Sequence, residues 1–170
     1  MKIKFVLLLG IFSVCLGCEN LDGVIAKIDF PIVIQKSSMQ CGPVCLQMIS
    51  KYYGKNVAVK RLELISKMDE TGTSLLGLKE AADSIGLEKF SANLSFEQLI
   101  EEAPLPAILH WNMNHFVVMY YATKTKIYIA DPAIGKIEYS KKEFCKNWLS
   151  KDSASKDTGI VMLFEPSNSF

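Results

Sequence analysis

The chain has 170 residues, of which 49% are hydrophobic, and its formal net charge at pH 7 is +1. This length suits one domain with a proper core and is short for two domains. Because the charges nearly balance and the lysines are scattered, there is no electrostatic basis for binding nucleic acid.

The first 18 residues have the pattern of a targeting segment. Two lysines precede an apolar run of fourteen residues from Phe5 to Cys18. A spanning helix needs about 20 apolar residues, so this run suits the core of a signal peptide. The run closes on a glycine before Cys18, which resembles the lipobox of bacterial lipoproteins, where Cys18 would be lipidated. An ordinary secretory signal and a short uncleaved anchor are the alternatives.

This segment predicts export or membrane attachment in a bacterial cell envelope. Residues 19–28 are expected to form a tether, and residues 29–170 a single domain. The last stretch with loop composition, residues 150–157, is rich in serine, lysine and aspartate and predicts a surface loop.

Helices are predicted in the first half of the domain, after an extended entry at residues 30–35. Pro43 suits the first turn of the first helix, where its missing N–H costs nothing. Gly86 is a C-terminal cap candidate, and Ser95 with Gln98 three residues later has the pattern of a capping box. The amphipathic segments cover residues 41–54, 59–68, 74–87 and 95–103.

The second half of the domain changes to short, β-branched and aromatic segments separated by turn residues. We interpret them as consecutive, mostly antiparallel strands, followed by a helix at residues 141–150 and a final strand at 159–166. The strand segments before that helix cover residues 105–111, 115–123, 126–132 and 135–140. Helices followed by a sheet indicate an α+β domain.

Cys41 is the candidate nucleophile. It stands where the first helix begins, and the positive end of the helix dipole favours the reactive thiolate. Cys41, Cys45 and Cys145 lie in the domain, an odd number, so at least one is outside any internal disulfide. Cys41 and Cys45 have no partner cluster suited to zinc. We interpret Cys45 and Cys145 as packing residues and expect no metal or cofactor.

His115 and Asp131 are the candidate partners of this thiol. His115 begins one predicted strand and Asp131 ends the next, so a hairpin between them brings both residues to the same open end. Cys41, His115 and Asp131 would then form a thiol–imidazole–carboxylate relay with a bell-shaped pH profile. Gln35, six residues before Cys41, can add its side-chain NH₂ to the Cys41 backbone N–H as an oxyanion donor. His110 is interpreted as a loop or core-edge histidine.

These residues together resemble a known family. Gln35, the Cys-Gly-Pro run at residues 41–43, "HFVV" at 115–118, "DP" at 131–132 and "GIVMLFEP" at 159–166 are similar to the bacteriocin-processing cysteine peptidases. These are the papain-like domains of peptidase-containing ABC transporters, and the resemblance covers about residues 29–170.

The resemblance implies a papain-like fold and a cysteine endopeptidase that cleaves leader peptides after a double glycine. Cys41 would be the nucleophile, His115 the general base and acid, Asp131 the residue that orients the imidazole, and Gln35 the oxyanion-hole residue. The implied substrate has an amphipathic helical leader ending in Gly-Gly, which fits a cleft too narrow for side chains.

The sequence departs from the family pattern in two ways. Gln40 stands where the family commonly has aspartate, directly before the cysteine. No P-loop pattern is present, so the chain resembles a stand-alone member working with a separately encoded ABC exporter. The alternatives are a non-catalytic peptide-binding module of the same fold and another papain-like acyl-transfer enzyme.

Overall fold

A computed structural model describes residues 30–150, 157–168 and 170. The predicted signal segment (1–18), the tether (19–28) and most of the predicted loop at 150–157 lie outside the described residues. The helices of the described part are α1 Cys41–Tyr52, α2 Val59–Ile65, α3 Leu75–Ser84, α4 Phe96–Glu101 and α5 Lys141–Trp148. The strands are β1 Leu87–Leu94, β2 Ala107–Trp111, β3 His115–Ala122, β4 Lys126–Asp131, β5 Gly135–Ser140 and β6 Gly159–Pro166.

The strands form one six-stranded sheet in the order β1-β6-β2-β3-β4-β5. Every neighbouring pair runs antiparallel, which confirms the predicted α+β class. β2 to β5 follow each other as hairpins, whereas β6 is inserted between β1 and β2. Leu109 of β2 therefore has Val117 on one side and Val161 of β6 on the other.

The helix ends follow local sequence rules. Pro43 is the third residue of α1, within the first turn as predicted. The Ser95 hydroxyl accepts a hydrogen bond from the Gln98 backbone N–H at 3.2 Å, and the Gln98 side chain accepts one from the Ser95 N–H at 2.9 Å. Gly86 has a φ of 86° just after α3, a left-handed conformation that glycine adopts without steric cost. The predicted cap positions are thus confirmed.

Alternating residues of the strands enter two different cores. Ile108 and Val118 face α1, α2 and α3, whereas their neighbours Leu109 and Met119 face α4 and α5. This follows from the two-residue period of a strand, which sends successive side chains to opposite faces. We call the first cluster the site-side core; it includes Leu46, Met48, Leu78, Ile108, Val118 and Phe164. We call the second cluster the far-side core; it includes Leu99, Leu109, Met119, Ile129, Phe144 and Trp148.

Strand β1 has no counterpart among the sequence predictions. Leu87 is buried, but Phe90 is 66% exposed, so the apolar residues of this segment do not alternate cleanly. Its pairing partner is β6, with Leu87 opposite Pro166. An edge strand that depends on a partner so far along the chain has little local signal.

Candidate active site

Cys41 is the first residue of α1, and a 3₁₀ turn, Ser38–Gln40, leads directly into it. The side chain is 6% exposed, so the thiol is largely withdrawn from water. The first N–H groups of a helix have no intrahelical acceptor, and they make this end electropositive. The position therefore favours a negatively charged sulfur.

His115 and Asp131 meet where β3 begins and β4 ends. The predicted hairpin is present, with Val118 opposite Ala130. Nε2 of His115 donates a hydrogen bond to Oδ1 of Asp131 at 2.9 Å. The same carboxylate oxygen accepts a hydrogen bond from the backbone N–H of Ala133 at 2.8 Å. Asp131 is 5% exposed, and these two contacts hold its carboxylate in one orientation.

The histidine connects the carboxylate to the thiol. Since Nε2 of His115 is taken by Asp131, the hydrogen bond between His115 and Cys41 uses the other ring nitrogen, Nδ1. The backbone N–H groups of Phe116 and Gly42 also act on the Cys41 sulfur and lower its pKa. The structure thus brings three of the four candidate residues into one hydrogen-bonded row.

Burial and hydrogen bonding act in opposite directions on the protonation of Cys41 and His115. Burial is the largest influence on Cys41 and raises its pKa, but the His115 hydrogen bond and the Phe116 N–H outweigh it and leave the pKa below its usual value. Burial likewise lowers the pKa of His115, but the hydrogen bonds with Asp131 and Cys41 raise it to about 9. Both shifts act toward a thiolate beside an imidazolium.

Gln35 is attached to the same end of the sheet. Its backbone N–H donates to the carbonyl oxygen of Pro132 at 2.8 Å, so it is tied to the residue that follows Asp131. Its side-chain oxygen is buried and has no hydrogen-bond partner among the described residues. Buried amide oxygens are usually paired, so this one has the capacity to accept a hydrogen bond from another molecule.

Gln40, the departure from the family pattern, organises the loop between Gln35 and Cys41. Its side-chain oxygen accepts hydrogen bonds from the backbone N–H groups of Lys36, at 2.7 Å, and Ser37, at 3.1 Å. Its side-chain NH₂ donates to the carboxylate of Glu63 on α2. A glutamine both accepts and donates, whereas an aspartate would place a second negative charge beside Glu63.

A cleft of about 390 Å³ opens beside this row. The cleft is lined by Phe116, the residue after His115, and by the segment that leads into α3. The lining includes Thr71, Thr73, Leu75, Met113, Phe116 and Ile160. Two smaller cavities, of about 170 and 210 Å³, share Ile160 with the cleft and extend it over β1 and β6. A peptide chain can therefore lie across this face of the sheet.

His110 lies in the cleft wall and not in the row. Its ring is half-buried, with its centroid 5.3 Å from that of Phe116. Burial lowers its pKa, although a hydrogen bond with the backbone of Met113 acts in the opposite direction. This position at the edge of the core agrees with the interpretation from sequence.

Sequence reasoning missed the backbone of Phe116 and the wall formed by residues 71–75. Phe116 could have been found, because it directly follows the candidate base on the same strand. The wall carries no local signal, since it reaches the cleft only when α3 packs on the sheet. Within the described residues, no group of three or more His, Cys, Asp or Glu side chains could hold a metal ion.

Residues 30–150 and 157–168 contain no helix that is long and apolar enough to cross a membrane.

Comparison with solved structures shows that this is the fold of double-glycine peptidase domains. A double-glycine motif protease from an AMS/PCAT transporter, solved with its leader peptide, matches with a TM-score of 0.73 and 31% identity, covering 81% of this chain and 91% of that one. The peptidase domain of Streptococcus ComA, a bifunctional ABC transporter of a quorum-sensing pathway, matches with a TM-score of 0.72 and 27% identity. That match covers 81% of this chain and 99% of the ComA domain.

The chain belongs to the Peptidase C39 family, whose model matches residues 29–168. The lactococcin-G-processing and transport ATP-binding protein LagD of Lactococcus lactis is 34% identical over 140 residues, which are 79% of this chain. The colicin V secretion/processing ATP-binding protein CvaB of Escherichia coli is 28% identical over 140 residues, 82% of this chain. The matched segment spans 19% of the length of each of these relatives.

Proposed function

We propose that this protein is a cysteine endopeptidase that cleaves a leader peptide after a double glycine, with Cys41 as nucleophile. The observation that carries the proposal is the row of hydrogen bonds from Asp131 through His115 to Cys41, at the start of a helix and beside an open cleft. A thiolate is the reactive form of cysteine, and this row of hydrogen bonds lowers the pKa of Cys41 toward that form.

The reaction would proceed in two stages. The Cys41 thiolate attacks the carbonyl carbon of the second glycine, and the oxygen of that carbonyl takes up the negative charge. As the tetrahedral intermediate collapses, the imidazolium of His115 gives its proton to the departing amine, and the leader remains on Cys41 as a thioester. A water molecule, deprotonated by His115, then attacks the thioester and releases the leader with a free carboxylate.

Asp131 and Gln35 would assist without forming covalent bonds. Asp131 holds the imidazole in the orientation that points Nδ1 at the sulfur, and its charge stabilises the imidazolium. The side-chain NH₂ of Gln35 and the backbone N–H of Cys41 would stabilise the oxyanion. The bond from the Gln35 backbone N–H to the Pro132 carbonyl oxygen, which keeps this residue next to Asp131, supports a role at the site.

The double-glycine specificity rests on the relatives. One structural neighbour is a double-glycine motif protease bound to a leader peptide, and several curated relatives are bacteriocin processing and transport proteins. We propose that the cleft between Phe116 and residues 71–75 takes the double-glycine end of the leader. The smaller cavities beyond Ile160 would then contact the residues before it.

The direct test uses a synthetic leader peptide ending in Gly-Gly and joined to a short cargo. The protein, kept reduced, should release the two fragments, and the Cys41→Ala variant should release none in mass spectrometry. Cys145→Ala is the matched control, because Cys145 lies on α5 and packs at the far-side core. Cleavage that persists in Cys41→Ala would exclude the proposed nucleophile. An intact peptide that stays bound to the wild-type protein would indicate a binding module instead, and transfer of the leader to an added amine would indicate an acyl-transfer enzyme.

A second variant tests the oxyanion donor. Gln35→Ala should lower kcat by about 100-fold with little change in KM, because the lost hydrogen bond is strongest in the transition state. The rate of Cys41 alkylation should stay close to that of the wild type, since Gln35 is not part of the thiol–imidazole pair. An unchanged kcat would remove Gln35 from the proposed mechanism.

Export, lipidation of Cys18 and a separately encoded ABC exporter remain predictions from the N-terminal sequence and the relatives. Lipidation can be checked in bacterial cells with a labelled fatty acid. The label should enter the wild-type protein and be absent from Cys18→Ser. Secretion without any label would favour the ordinary signal peptide.

A further inference from the structure

Cys45 is a fully buried thiol that the proposed reaction does not use. It lies four residues after Cys41 on α1, and a spacing of four places both side chains on the same face of the helix. Its exposed fraction is 0%, and Sγ donates a hydrogen bond to the backbone carbonyl oxygen of Phe116 at 3.2 Å. The sequence suggested packing alone, but a directed hydrogen bond to a strand can do more than fill space.

The partner of this bond, Phe116, also contacts Cys41. The backbone N–H of Phe116 acts on the Cys41 sulfur and lowers its pKa, and the carbonyl oxygen of Phe116 accepts the hydrogen bond from Cys45. In an extended strand the N–H and C=O of one residue point to the same side. Cys41 and Cys45, one helical turn apart, therefore face the N–H and the C=O of the same residue. That residue, Phe116, directly follows His115.

We propose that Cys45 is a positioning residue, whose S–H group holds the start of β3 against α1 so that His115 and the Phe116 N–H stay on the Cys41 sulfur. This inference rests on the proposed role of Cys41 as nucleophile. Cys45 touches neither the substrate nor the reacting atoms, and it acts through the backbone of Phe116.

The surroundings of Cys45 keep its thiol protonated, so that it can act as a hydrogen-bond donor. Burial raises the pKa of Cys45 well above its usual value, and the negative charges of Cys41 and Asp131 act in the same direction. The thiol therefore keeps its proton at the pH where Cys41 is a thiolate. Of the two cysteines on α1, Cys41 can therefore accept hydrogen bonds as a thiolate, and Cys45 can donate one as a thiol.

The test compares variants with and without a donor at position 45. Cys45→Ala and Cys45→Val lack the donor, the first with a smaller and the second with a larger side chain than cysteine, whereas Cys45→Ser keeps an O–H group. Cys145→Ala is the control for removing a cysteine elsewhere. The rate of Cys41 alkylation by iodoacetamide would be followed from pH 5 to 10 by mass spectrometry of the Cys41 peptide, together with urea unfolding of each variant.

Loss of the donor should raise the pH at which Cys41 alkylation reaches half its maximum and slow alkylation at pH 7 by about fivefold, the effect of one hydrogen bond of ordinary strength. Cys45→Ser should restore most of the wild-type profile, although serine is smaller than cysteine. A packing role would instead lower the urea midpoint and leave the alkylation profile in place.

Two results would overturn the proposal. One is a wild-type alkylation profile in both Cys45→Ala and Cys45→Val, and the other is an equal shift of the profile in all three variants, Cys45→Ser included. If Cys45→Ala fails to fold, the alkylation profiles of Cys45→Val and Cys45→Ser are compared by the same criteria. Alkylation needs no peptide substrate, so a wild-type protein that cleaves no leader would contradict the proposed function and still allow the role of Cys45 to be judged.

Discussion

The carboxylate of Asp131 keeps the His115 imidazole charged well above neutral pH. The two side chains are 2.9 Å apart, and the pKa of His115 is raised to about 9. The imidazolium of His115 in turn acts on Cys41. Burial raises the pKa of this thiol, but the hydrogen bond and the charge of His115 help to lower it below its usual value. A change at Asp131 should therefore be visible in the pH dependence of a reaction that takes place at another residue.

The first prediction concerns this pH dependence. Activity should rise as Cys41 loses its proton, at a pH below the usual cysteine value, and fall as His115 loses its proton near pH 9. Asp131→Asn keeps a hydrogen-bond acceptor but removes the charge, so the pKa of His115 should decrease. The alkaline limb of kcat/KM should then move toward the ordinary histidine value of about 6.5, while the wild type serves as reference. A profile with the same alkaline limb in both proteins would show that the charge of Asp131 does not set the protonation of His115.

At the scale of the element, α3 illustrates how closely the helices approach each other. Gly77 lies in α3, and a Cβ at this position would be 2.2 Å from the carbonyl oxygen of Ser66, just after α2. The same helix is capped by Ser74, whose hydroxyl accepts a hydrogen bond from the Gly77 N–H at 3.0 Å. Residues 71–75, which lead into α3, line the cleft. The packing of α3 against α2 therefore affects the position of that wall.

The second prediction follows from that close approach. Alanine normally favours a helix over glycine by about 1 kcal/mol. Gly77→Ala should nevertheless lower the free energy of unfolding by about 1–3 kcal/mol, because the methyl group meets backbone that cannot rotate away.

Urea unfolding measures this change, and Leu76→Ala is the control in the same helix, since Leu76 is 64% exposed. The control should change stability by less than about 0.5 kcal/mol. A Gly77→Ala protein as stable as the wild type would mean that α2 and α3 can separate at little cost.

At the scale of the whole molecule, the sheet separates the site from the far-side core. Cys41 packs with the site-side core, whereas Phe144 belongs to the far-side core and is 0% exposed. Strands β2, β3 and β4 contribute side chains to both. Stability and reactivity should therefore be separable by substitutions on the far face.

The third prediction uses this separation. Phe144→Ala should lower the free energy of unfolding by about 3–5 kcal/mol, the usual cost of removing a buried aromatic ring. In the protein that remains folded, the pH dependence of Cys41 alkylation should match the wild type. Phe90→Ala is the matched control, since Phe90 is 66% exposed and should change stability little. If Phe144→Ala shifted the alkylation profile, the two faces of the sheet would be coupled.

Sequence by itself determined the features that depend on neighbouring residues. Hydrophobic periodicity indicated the helices and most strands, and cap chemistry indicated where several helices begin and end. The hairpin that joins His115 and Asp131 could also be anticipated, because a short turn between two strands brings their outer ends together.

Tertiary structure alone decided the pairing of β1 with β6, the cleft between residues 71–75 and Phe116, and the bond from Cys45 to that same residue. Each joins segments that are distant in the chain, and none leaves a local pattern of residues. Such contacts form only when whole elements pack, because burial of apolar area is non-directional and does not identify its partner in advance. For that reason Cys45 resembles a packing residue in the sequence, and its contact with the Phe116 backbone is visible only in the folded chain.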